Sequence, residues 1–160
     1  MISKQDLIKM LQKEFATTLK VLYAFPENKL DFFPHERSQR AKRLIITFIF
    51  EMFLIKIYAF GENINRSIFT EYDPKDLPTL ISHFEQHSSD IISVLENFPD
   101  TKLSNIVEFA GAKFTVADFV LMMLHDQIHH RGQLTVYIRM TGGKVPSIYG
   151  PSADDSTTNF

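Results

Sequence analysis

Three histidines stand within six residues, His125, His129 and His130, and lead directly into Arg131, Gly132 and Gln133. On a helix, side chains four apart share a face. The stretch therefore holds two pairs, His125 with His129 and Asp126 with His130. Adjacent positions are rotated by about 100°, so only one pair can face the interior of a helical bundle. Phe119, Met122 and Met123 precede Asp126 on its side, and Leu134 and Tyr137 follow His130. That apolar row predicts that Asp126 and His130 point inward. The His125 row, with Leu121, Met122, Ile128 and Gly132, suits a helix–helix boundary.

A carboxylate and an imidazole buried together are costly unless they are paired or hold a cation. Two readings follow. In one, Asp126 and His130 hold a divalent metal with a third ligand from another helix, and an open position activates a water or a thiol. In the other, they hydrogen-bond to each other inside the bundle without metal. Glu51 interrupts an apolar stretch and lies four residues after Thr47, on the same face. It is a candidate ligand or base if it faces the bundle axis, and otherwise a partner for an edge lysine or arginine. Arg131 and Arg139 sit near Gln133 and Tyr137. They could hold an anionic group of a substrate, or tie the C-terminal tail or a partner subunit to the bundle. His83 and His87 repeat the four-residue spacing, but the polar context "SHFEQHSSD" predicts a solvated face.

Four long helices must position these groups. The first is expected from Ser3 to Ala24, with Ser3 and Asp6 as a capping box and Leu7, Leu11, Phe15 and Leu22 on one face. The second is expected from about Ser38, as N-cap, to Asn63, with apolar residues almost all round. The third spans about Leu77 to Asn97, and a short connection from the second predicts an antiparallel pair. "FPDTKLSNIVEFAGAKFT" reads as a short extended excursion, after which Thr115 and Asp118 cap a fourth helix running to about Met140. Gly142 and Gly143 stop that helix, and a proline- and glycine-punctuated tail follows. This is an all-α, antiparallel four-helix bundle with a loop excursion before the last helix, expected as one domain over residues 1–160.

Composition narrows the chemistry. With 160 residues, 44% hydrophobic and 22% charged, the chain can bury a core of its own. A net charge of −2 and the lack of a basic run argue against nucleic acid or an anionic membrane as partner. The absence of cysteine excludes disulfides, Cys-based zinc sites and thiol nucleophiles, and suits a cytoplasmic setting. "LIITFIFEMFLIKIYAF" is broken by Glu51 and Lys56, which marks a buried helix rather than a membrane span.

The stretch "HHRGQLTVYIRMTGGKVPSIYGPSADD" resembles the C-terminal signature of the DinB-like (damage-inducible) four-helix proteins, and "FPHERSQRAKRLIIT" resembles their lead into the second helix. The resemblance implies a divalent metal (zinc, nickel or manganese) held by three histidines, one on the second helix and two at i and i+4 on the fourth. It further implies thiol-dependent transfer or hydrolysis acting on a small molecule, and a homodimer. Matched residue by residue, the family's last histidine falls on His130, the one before it on Asp126, and the second-helix histidine on Thr47. His125, His129 and Glu51 are the alternative ligands. One of three expected histidines is thus retained, which implies either a retuned metal enzyme or a metal-free binding or interaction protein on the same scaffold.

Overall fold

The computed structural model describes residues 2–154. Four long helices carry the fold: α1 (Lys4–Tyr23), α2 (Ala41–Leu54), α4 (Leu77–Asn97) and α5 (Val116–Met140), with a one-turn helix α3 (Ile68–Glu71) between α2 and α4. The extended excursion is an antiparallel hairpin, β1 (Ile106–Phe109) with β2 (Ala112–Thr115), in register Val107 to Phe114 and Glu108 to Lys113. Ala110 and Gly111, both at positive φ, make its two-residue turn. Among the described residues no helix is long and apolar enough to cross a membrane. Residues 155–160, assigned to a tail loop from the sequence, lie outside the described residues.

Ser3 and Thr115 are the N-caps expected, each bonded to its aspartate three residues on. Ser3 Oγ accepts from the Asp6 N–H at 3.1 Å, and Thr115 Oγ1 accepts from the Asp118 N–H at 3.1 Å. The end of α5 is a Schellman turn. The Gly143 N–H reaches Ile138 O, the Gly142 N–H reaches Arg139 O, and Gly142 sits at φ 82°. Helix α2 departs from expectation at both ends. Ser38 is tied into a turn through its N–H to His35 O, so α2 begins after Arg40 with no side-chain cap. Its far end widens into a π-helical turn, Ile55–Ala59. There the buried Lys56 pairs with Asp90 of α4 at 2.8 Å.

Each helix packs against two neighbours in the cyclic order α1, α4, α2, α5, so α1 and α2 lie across the diagonal. Cross-contacts set the directions. Lys4 of α1 reaches Phe98 O beyond the end of α4, and Gln127 of α5 reaches Phe48 O of α2 while Tyr137 reaches Gln39 O. These two pairs are antiparallel. Phe48 meets Phe84 and Phe53 meets His87, so α2 and α4 run parallel. The antiparallel pair expected here is not formed. Residues 60–76, including α3, return along the roughly 28 Å of α2 and its π turn, well within an extended chain's reach. Lys42 at the start of α2 then meets Asp73 just before α4.

The core runs the length of the bundle, with Phe15, Phe48 and Phe84 meeting edge to face at its centre. Phe109, Phe114, Phe119 and Tyr58 pack the hairpin onto α5 and the π turn. His83 and His87 are not the solvated face expected of them. His83 Nδ1 meets the Tyr72 hydroxyl at 2.6 Å. His87 packs on Phe53 with ring centroids 4.7 Å apart. Burial, with Lys56 close by, lowers the His87 imidazole below its ordinary value. The polar residues flanking them misled because α3 and the π turn cover that side of α4.

Candidate metal centre

The face of α5 read from the sequence enters the core at Phe119, Met123, Leu134 and Tyr137, but not fully at Asp126 and His130. Val120, Leu124, Gln127, Arg131, Leu134 and Ile138 are buried. Asp126 and His130 lie one position around, at the α2–α5 seam. The Asp126 side chain is 49% exposed and that of His130 17%. Within the expected inward row these two positions therefore form the rim of the interface, between buried apolar neighbours. The buried row beside it was not legible because it carries a glutamine and an arginine among its apolar residues.

Glu51 approaches that rim from α2. Glu51, Asp126 and His130 each offer one donor atom, all within 4.8 Å of one another. His130 Nε2 lies 3.6 Å from Asp126 Oδ1 and 3.9 Å from Glu51 Oε1. Both separations exceed a hydrogen bond, so the direct Asp126–His130 bond of the metal-free reading is not formed. The other ring nitrogen, His130 Nδ1, lies 3.1 Å from Gln133 Oε1. Glu51 is only 2% exposed. No lysine or arginine pairs with it among the described ion pairs. Burial first, and then the Asp126 carboxylate, push its carboxyl up to about 10.

The buried side-chain acceptors without a hydrogen-bond partner among the described residues are Glu51 Oε1, Glu51 Oε2 and Gln127 Oε1. All three belong to this seam, where Gln127 Nε2 donates to Phe48 O of α2 at 3.2 Å. For an ionised Glu51 such orphaned acceptors are costly, whereas a protonated Glu51 can direct its O–H to the Asp126 carboxylate. A divalent cation fits this donor set. Two bonds of 2.0–2.2 Å at a tetrahedral angle span about 3.4 Å between donors, so side chains 3.6 and 3.9 Å apart would close slightly on a cation whose charge the two carboxylates balance. The set of two oxygens and one imidazole is harder than three imidazoles, which favours manganese or zinc over nickel.

The other candidate residues fall outside the triad. Thr47 is half-buried and donates its hydroxyl back to Arg43 O at 3.0 Å, so the second-helix donor comes from one turn further along, at Glu51. His125 and His129 are exposed. Both line a cleft of about 480 Å³ with Phe109, Met122, Met123 and Asp126. His130, Gln133 and Tyr137 line a second cleft of about 450 Å³ with Arg37 and Gln39. The triad thus borders both clefts.

Arg131 is 2% exposed and forms a buried pair with Glu14 of α1, Nη2 to Oε2 at 2.7 Å. It also donates to Glu14 O and Thr18 Oγ1, and contacts the Tyr149 hydroxyl and ring face. Tyr149 in turn donates to Glu14 Oε2 at 2.6 Å. Arg139 pairs with Asp154 at 2.8 Å. The two arginines therefore hold the tail, and neither faces the triad's clefts. Tyr137 donates to Gln39 O at 3.0 Å. Glu14, Thr18, Gln127 and Tyr149 were not anticipated. Glu14 and Thr18 continue the Leu7–Leu11 row at buried spacing, which is a legible signal for a buried polar partner.

The DinB family model matches residues 1–159. An uncharacterized protein of Bacillus subtilis, YrdA, is 29% identical over 83 residues, which are 51% of this chain and 50% of that protein. The chain thus spans about half the length of the curated relative it matches. A DinB-like protein of Bacillus cereus ATCC 10987 superposes with a TM-score of 0.81 at 20% identity, covering 91% of this chain and 97% of that one. A DinB-like protein of Bacillus subtilis, YjoA, gives a TM-score of 0.72 at 20% identity over the same shares. At these identities the solved structures speak for the fold. With the family model spanning nearly every residue, the chain belongs to the DinB family.

Proposed function

We propose that this chain is a metal-dependent enzyme acting on a small molecule, with Glu51, Asp126 and His130 holding a divalent zinc or manganese ion. The observation that carries the reading is the Glu51 carboxylate, buried with both oxygens unpartnered beside an imidazole and a second carboxylate. A cation held there supplies Lewis-acid polarisation and an acidified water or thiol, the chemistry of a hydrolase or a thiol-dependent transferase. Within the protein, Glu51 contributes the enclosed charge, Asp126 the solvent-side charge and His130 a neutral donor. The two bordering clefts are of small-molecule size, and Phe109, Met122 and Met123 give one of them an apolar wall suited to an apolar substrate group. A homodimer on this reading would cover the exposed Val136 and Met140, one turn apart on α5; a sedimentation mass of one 18.5 kDa chain would end that part.

A second reading, a metal-free binding protein on the same scaffold, draws on the raised Glu51 carboxyl. A neutral Glu51 is tolerated in the seam without a cation. Elemental analysis of untagged protein, followed by melting curves with zinc, manganese and nickel, separates the two. The metal reading expects near-stoichiometric metal, or a rise in melting temperature that Glu51→Gln and His130→Ala abolish. No metal and no rise with any of the three ions would leave the metal-free reading.

A further inference from the structure

The triad uses one of the three clustered histidines and leaves His129 and Gln133 without a role. Both are exposed on α5, yet they are joined to the centre by an unbroken chain of contacts. Gln133 Oε1 lies 3.1 Å from His130 Nδ1, and Gln133 Nε2 lies 2.9 Å from His129 Nε2. An amide oxygen only accepts and an amide nitrogen only donates. In this arrangement His130 must carry its proton on Nδ1, which leaves the Nε2 lone pair on the side of Glu51 and Asp126. His129 Nε2 then accepts; a reversed amide with a donating His129 would meet the same two contacts, so the need for a free Nε2 lone pair at the centre is what selects this orientation. Turned over, the amide would place N–H groups at His130 Nδ1, move the ring proton to Nε2 and block that atom as a donor.

We propose that Gln133 is the positioning residue of this centre, fixing the Nδ1–H tautomer of His130, and that His129, accepting at Nε2, holds Gln133 in that orientation. The inference rests on the metal reading above, which needs the Nε2 lone pair free, and on the two Gln133 contacts. Outer partners of this kind commonly change metal affinity by roughly 10- to 100-fold. Their geometry also accounts for the spacing in the sequence, since Gln133 is at i+3 from His130 and i+4 from His129, the two offsets that meet on one helix surface.

The test has two independent readouts on the full-length protein. Long-range proton–nitrogen NMR at pH 8 reads the His130 tautomer in metal-free wild type, Gln133→Leu, Gln133→Glu and His129→Ala. Zinc titration by calorimetry reads affinity in the same set, with His130→Ala as reference. We expect the Nδ1–H pattern in wild type and in Gln133→Glu, which keeps an acceptor. We expect its loss in Gln133→Leu with zinc affinity lower by roughly 10-fold or more, and a smaller fall in His129→Ala. A wild-type Nε2–H pattern, or a Gln133→Leu protein that keeps the wild-type pattern, overturns the proposal even if zinc binds. If wild type takes up no zinc, the metal reading fails and the tautomer spectra alone decide the role of Gln133.

Discussion

Glu51 concentrates the conflict at the residue scale. A carboxyl buried in the α2–α5 seam and pushed up to about 10 holds a proton that the unfolded chain releases above its ordinary value near 4.5. For the metal-free protein this sets a sign. The stabilising contribution is complete below about pH 4.5 and declines as pH rises toward 10, by up to about 1.4 kcal/mol per unit. Glu51→Gln keeps the shape and removes the titration. Chelator-treated Glu51→Gln should therefore be more stable than wild type at pH 8, with a flatter profile, while losing the melting shift with zinc. Urea unfolding at several pH values checks this; equal slopes in the two proteins would mean that Glu51 is not protonated in the fold. Metal uptake near neutral pH should also release about one proton per site, read by calorimetry in buffers of different ionisation enthalpy.

At the scale of elements, the end of α5 shows how a local signal and a packing constraint coincide. Gly142 takes positive φ, which explains one glycine of the pair. The second is explained by space. A Cβ on Gly143 would lie 2.8 Å from Ile138 Cγ2 and 3.2 Å from both Ala24 O and Pro26 Cδ, where the α1 exit passes under the α5 exit. Gly143→Ala should lower stability by about 1–3 kcal/mol. Gly132, inside the helix with nothing within 4 Å of a built Cβ, should behave oppositely. Gly132→Ala should stabilise by about 0.5–1 kcal/mol. Chemical unfolding of the two variants distinguishes propensity from packing; a neutral Gly143→Ala would show that the two exits separate readily.

Across the whole molecule, the tail is fastened to the helix that carries the candidate centre. Arg131, next to His130, joins α5 to Glu14 and Thr18 of α1 and to Tyr149 of the tail. Arg139 and Asp154 hold the tail's far end, where Asp154 also accepts from the Val145 N–H at 3.1 Å. A buried pair that loses one member leaves an uncompensated charge. Arg131→Met alone should cost about 3–5 kcal/mol, and the double variant Glu14→Leu, Arg131→Met should recover most of that loss. A double-mutant cycle by urea unfolding checks it; a double variant as unstable as the single would place the cost in packing rather than charge.

The four long helices, the N-caps of α1 and α5, the hairpin excursion and the glycine stop on α5 were legible because each rests on interactions within a few residues. Ser3, Thr115 and Gly142 act on backbone one turn away. The family resemblance was legible for the same reason, carried by "HHRGQ" and the run after it. Tertiary structure decided what depends on distant partners. The buried face of α5 is wider than the apolar row suggests because it also holds Gln127 and Arg131, whose N–H donors are taken up by Phe48 O and by Glu14 rather than by solvent. The direction of α4 was misread because residues 60–76 return along α2 instead of turning back at once. Glu51 could be named from the sequence, but not chosen over Thr47. A helix rotation of about 100° per residue separates a rim from an axis, and only the packing of α2 on α5 fixes which residue meets Asp126 and His130.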